Sequence, residues 1–190
     1  MLLISQNVTN YDLDLPKNAV FRINLAWCNS LEELENILQK NRNNEIFIDL
    51  PIGRIKPPNN RYTLEEMIPI INTNDQIKYF AVSNVESKED LTIFQEKLPQ
   101  HVNIIPKIES PNAINNIQEI TDSLNSKEKI IMLDHDDLFS SIIRNNEDKD
   151  NFKKYIINLI DYCEKNNISL LRTVGVVFSD DEKRITQYEK

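Results

Sequence analysis

The stretch NIIPKIESPNAINNIQEI (103–120) runs from an apolar segment, through a lysine and a glutamate, into the start of a helix. Residues 102–109 read as a strand, and Ser110 stands at a helix N-cap. Pro111 follows at the first helical position, where a missing N–H leaves no hydrogen bond unmade. Ile114, Ile117, Ile120 and Leu124 then recur at helical spacing as one apolar stripe. A strand that feeds straight into a helix is the building unit of a parallel sheet.

The same grammar recurs outward from this stretch. AVFRINLAW (19–27) precedes a helix whose Ser30 and Glu33 have capping-box spacing, and EIFIDL (45–50) leads through a Pro-rich loop to Thr63 and Glu66 in the same relation. IKYFAVSNV (77–85) precedes Ser87 and Asp90. KIIMLDHDDL (129–138) reads as a further strand, followed by a helix with Phe152, Tyr155, Ile156, Leu159, Ile160 and Cys163 on one face; ISLLRTVGVVF (168–178) is the last strand. Near-continuous apolar strands separated by amphipathic helices predict parallel strands buried on both faces. The expected fold is therefore α/β: a truncated or modified (β/α)8 TIM-type barrel formed by residues 1–190 as a single domain.

The ends depart from the pattern. Only TNYDLDLPKN (9–18) separates LLISQNV from AVFRINL, too little for an ordinary crossover, so the first strand is predicted to be antiparallel or displaced. A complete eight-unit barrel takes about 250 residues, and 190 residues predict one that is open or completed by another subunit. An exposed strand edge favours a homo-oligomer, for instance a dimer.

Composition narrows the class. A net charge of −8 with scattered Lys and Arg argues against a nucleic-acid surface. No apolar run approaches the roughly 20 residues of a membrane span, and the N-terminus lacks a basic region and a cleavage site. The expectation is a cytoplasmic protein with no membrane partner. Cys28 and Cys163 have no metal-type spacing and read as reduced core thiols.

In parallel β/α folds, active sites gather at the C-terminal ends of the strands. Those ends carry, in order, Arg22 and Asn24, Asp49, Ser83, Lys107 and Glu109, then Asp134, Asp136 and Asp137, then Arg172 and Thr173. Each charge alone reads as a structural ion pair or a solvated strand end; together they predict a site. Residues two apart share a strand face, so Lys107 and Glu109 project together, as do Arg22 and Asn24. Glu109 and Asp137 offer the hard oxygen ligands that Mg²⁺ or Mn²⁺ requires. Lys107 and Arg22 offer positive charge to an anionic substrate or a developing oxyanion. His135 reads as a surface residue in a loop.

Several of these segments resemble pyruvate kinase. PKIESPNAINNIQEI is similar to that family's KIE segment, IIMLDHDDL to its IMVARGDLG, VFRINLAW to its ARINFSHG, FIDLPIGRIK to its LDTKGPEIR, and YFAVSNVESKEDL to its ISFVxSAEDV, over about residues 19–178. The resemblance implies a barrel that binds phosphoenolpyruvate, a divalent metal and K⁺. It implies Lys107 at the transferred phosphoryl group and enolate oxygen, Glu109 and Asp137 as metal ligands, and Arg22 on phosphate. Asn24 and Asp49 would hold K⁺, and Thr173 would match the family's ATQ turn; Ser83, at its own strand end, is a further candidate cofactor-binding residue. Ala26 replaces a serine ligand of K⁺, Asp136 replaces the glycine before the metal aspartate, and the lid and C-terminal domains are absent.

Two functions follow as expectations. One is a metal-dependent lyase or phosphotransferase that acts on a small anionic oxo acid of the phosphoenolpyruvate or pyruvate type, other than ordinary pyruvate kinase. The other is a catalytically degenerate module that binds a small oxo acid or a protein partner.

Overall fold

The computed structural model of the protein describes residues 2–5, 19–53 and 60–172. Seven strands, β1 (Leu2–Ser5), β2 (Ala19–Asn24), β3 (Glu45–Leu50), β4 (Ile77–Val82), β5 (Asn103–Ile108), β6 (Ile130–Leu133) and β7 (Ser169–Arg172), form one sheet in sequence order. Every pairing is parallel. The sheet is a curled half-barrel rather than a closed TIM barrel; among the described residues, β1 and β7 are its edges. The first strand corrects the expectation of an antiparallel or displaced element: Leu2 pairs with Ala19 and Ser5 with Arg22, parallel and in register.

Helices begin where the sequence supplies caps. Helix α1 (Leu31–Lys40) starts after Ser30, whose Oγ accepts from Glu33 N at 3.1 Å. Helix α2 (Leu64–Thr73) starts in a complete capping box: Glu66 N donates to Thr63 Oγ1 and Thr63 N to Glu66 Oε2. A 3₁₀ turn (Lys88–Leu91) leads into α3 (Thr92–Lys97). The stripe expected as one helix after β5 is two, α4 (Pro111–Asn115) and α5 (Ile117–Asp122). The break falls at Asn116, whose side chain donates to Glu86 O at 2.9 Å. Helices α6 (His135–Arg144) and α7 (Asn151–Lys165) complete the layer.

Strand alternation divides the core. Phe21, Ile23, Ile46, Ile48, Phe80, Val82, Ile108 and Leu133 pack beneath the helices. Val20, Phe47, Ala81, Ile105, Ile130 and Met132 form a second cluster on the inner face of the curl. Each fully buried large side chain contributes about 1.5–3 kcal/mol, and burial on both faces is why the strands read as near-continuous apolar runs. Residues two apart share a strand face, so Arg22, Asp49 and Lys107 lie on the inner face with Val20, Phe47 and Ile105, each two residues nearer the C-terminal end of its own strand. The fold thus places polar groups at the C-terminal mouth of an apolar trough. Among the described residues, no helix is long and apolar enough to cross a membrane.

Candidate functional site

The centre of the mouth is Lys107. It is buried near the end of β5, with Nζ 2.6 Å from Glu109 Oε1, 3.7 Å from Asp134 Oδ2 and 3.4 Å from Ser83 Oγ, to which it donates. Burial pulls the ammonium pKa down, but Asp49, Glu109 and Asp134 together outweigh it and raise it above the ordinary lysine value. Lys107 is therefore a cation at neutral pH. Glu109 responds differently: burial raises its carboxyl above the usual range, although Lys107 and the Asn84 N–H, 2.7 Å from Oε2, oppose the shift, and Asp134 adds to it.

The segment after β6 departs from the expected strand. The expected strand over 129–138 ends at Leu133, and Asp134 caps α6 by accepting from Asp137 N at 3.2 Å. Asp136 and Asp137 then sit in the first helical turn, where the helix dipole favours carboxylates. Asp136 is exposed, while one carboxylate oxygen each of Glu109, Asp134 and Asp137 lie within 4.8 Å of one another. Asp134 was missed as a ligand. Its signal was the D-x-x-D spacing of an N-cap, which turns both side chains to the same end of the helix.

Donor chemistry fits a hard divalent cation: three carboxylate oxygens, with room for water or substrate oxygens, suit Mg²⁺ or Mn²⁺. Three carboxylates against one ammonium also leave the cluster with excess negative charge. A cavity of about 180 Å³ opens beside it, lined among others by Ser83, Asn84, Lys107, Glu109, Asp137 and Arg144. A larger cavity of about 390 Å³ lies between Gln95 and Ser126 and has no charged side chain in its lining, so volume does not identify the site.

Arg22, Asn24 and Asp49 stand outside the acidic cluster, although the charge of Asp49 acts on Lys107. Arg22 and Asp49 form an ion pair, with Asp49 fully buried. Among the described residues, Arg22 Nε and Asp49 Oδ1 have no hydrogen-bond partner. Asn24 Oδ1 accepts from Ala26 N at 3.0 Å and caps a 3₁₀ turn (Leu25–Trp27). Thr173 lies outside the described residues. His135 is corrected from a surface loop to a buried helical position, edge-on to Phe152, with Nε2 3.4 Å from an Arg172 guanidinium nitrogen. Cys163 is buried, which pushes its thiol up to about 11 and makes it inert at neutral pH.

Fold and site together define a parallel α/β half-barrel with an acidic cluster and a buried lysine at the C-terminal strand ends. No protein-family model matches the chain, and no curated protein matches it. A solved structure that shares the fold is the crystal structure of RipC from Yersinia pestis, with a TM-score of 0.59 and 17% identity over 89% of this chain and 79% of that one. The resemblance to pyruvate kinase does not hold: no family model supports it, the sheet is an open half-barrel, and RipC is a neighbour in fold. Its quoted segments are each a strand end beside a polar turn or helix cap, a combination that parallel α/β packing imposes on unrelated chains.

Proposed function

We propose that the protein is a divalent-cation-dependent enzyme that acts on a small anionic oxo acid through an enolate. The observation that carries this reading is the buried ammonium of Lys107 among Glu109, Asp134 and Asp137, at the wall of a cavity of about 180 Å³. Glu109, Asp134 and Asp137 would hold the cation, which as a Lewis acid polarises a carbonyl oxygen when bound. Lys107, kept charged by its neighbours, stabilises negative charge that develops on the substrate oxygen. Arg144 offers a second cation in the same cavity for a substrate carboxylate. Carbon–carbon cleavage or formation and proton exchange are the reactions this arrangement serves.

One observation favours a binding module without chemistry: Lys107 already neutralises Glu109 at 2.6 Å, as a purely structural ion pair would. Calorimetric titration of Mn²⁺ with and without oxalate, a stable mimic of an enolate oxo acid, tests the metal site against a purely structural ion pair. The enzyme reading expects oxalate to bind only with Mn²⁺ and to lose that binding in Lys107→Met. Absence of metal-dependent oxalate binding in the native chain would sink it.

A further inference from the structure

We infer that Asn84 is a positioning residue whose strained backbone aims its N–H at Glu109 and so fixes the carboxylate for metal binding; this rests on the metal reading above. Asn84 has φ of +56°, the left-handed region, immediately after the β4 turn residue Ser83. Its N–H donates to Glu109 Oε2 at 2.7 Å, a short charge-assisted bond that leaves Oε1 for Lys107. Ser83 Oγ, one residue earlier, accepts from Lys107 Nζ. A single turn therefore grips both halves of the buried ion pair.

The side chain of Asn84 holds the turn in place from the other side. Its Nδ2 donates to Ile52 O at 2.7 Å, across to the loop after β3. Gly53, at φ of +72°, leaves room for that approach: a Cβ there would stand 3.3 Å from Asn84 Nδ2 and crowd it. Asparagine tolerates the left-handed region better than other residues with a Cβ, and a β-branched residue does not. Groups that orient a ligand carboxylate affect metal affinity without touching the metal.

Two further asparagines, Asn146 and Asn167, also have positive φ. Asn167, at the C-terminal end of α7, supplies a control for backbone strain alone. Asn84→Val, Asn84→Gly and Asn167→Val are compared by Mn²⁺ titration and urea unfolding. Asn84→Val is expected to weaken Mn²⁺ about 10-fold or more, and Asn84→Gly, which keeps the backbone geometry and loses only the Nδ2 bond to Ile52, distinctly less. Asn167→Val is expected to lose stability like Asn84→Val yet bind Mn²⁺ as the native chain does. Native affinity in Asn84→Val, equal losses in Asn84→Gly and Asn84→Val, or a loss in Asn167→Val overturns the inference.

A metal-free measurement separates this inference from the metal reading. The residue-84 amide proton is expected far downfield in the native protein and upfield in Glu109→Gln. If the native chain binds no Mn²⁺, the metal reading falls, and the amide shift decides positioning of Glu109 alone. A shift that Glu109→Gln moves supports it; one that Glu109→Gln leaves in place overturns it.

Discussion

Lys107 and Glu109 stand two residues apart across the end of β5, and both charged ends, 2.6 Å from each other, are buried. Neither charge is tolerable there without the other, because the burial that strengthens their attraction also removes the water that would solvate either alone. Lys107→Met is therefore expected to destabilise the protein by about 3–5 kcal/mol, read from urea unfolding. The double variant Lys107→Met/Glu109→Gln should lose less than the sum of the single variants; simple additivity would show the two groups uncoupled.

Lys107 also sets an alkaline limit. Its folded-state pKa is raised above 10.5, with burial opposing and Asp49, Glu109 and Asp134 prevailing. The stability it contributes is thus complete below the unfolded value and is lost as pH rises through the higher folded value. The stability difference between the native chain and Lys107→Met should shrink only above that range. Asp49→Asn should move the loss to lower pH. An alkaline limb of the same size in Lys107→Met would assign it to other groups.

Glu109 gives the opposite limb for metal. Burial raises its carboxyl above 4.5, so in the metal-free protein its favourable term is present below 4.5 and lost as pH rises through the folded value. Protons therefore compete with a cation at a higher pH than at an ordinary glutamate. Saturating Mn²⁺ at 100 times Kd is expected to stabilise the protein by about 2.7 kcal/mol at neutral pH, seen as a rise in Tm, and the rise should fade on acidification. A rise independent of pH would place the metal elsewhere.

Fold and site are expected to separate under mutation. Thr63 closes the capping box of α2 and is not among the cluster's carboxylates. Thr63→Ala should cost about 1 kcal/mol of stability and leave Mn²⁺ affinity unchanged. A joint loss would mean that the site responds to general loosening.

The alternation of strands and helices was legible because each helix start needs a polar cap and each strand shows its burial on both faces; Ser30, Thr63 and Ser110 each accept the expected backbone N–H. The pairing of Lys107 with Glu109 was legible from strand alternation alone. Asp134 and Asn84 were not, because their roles depend on backbone geometry: where β6 ends, and a positive φ that asparagine allows but does not announce. Similarly, β1 looked too closely linked to β2 to be parallel, and His135 read as a loop residue because the strand was expected to run past Leu133, whereas α6 in fact begins at His135. The pyruvate kinase likeness misled because strand-end charges followed by caps are demanded by packing and carry no family information by themselves.

The most direct measurement is binding of Mn²⁺, followed by the resonance of the free ion, to the native chain, Asp134→Asn and Asp136→Asn. Asp134 belongs to the cluster, whereas Asp136, two residues on, is exposed. One Mn²⁺ per native chain is expected, with affinity reduced about 10-fold or more in Asp134→Asn and native affinity in Asp136→Asn. No binding by the native chain, or equal binding by all three, would contradict the metal reading.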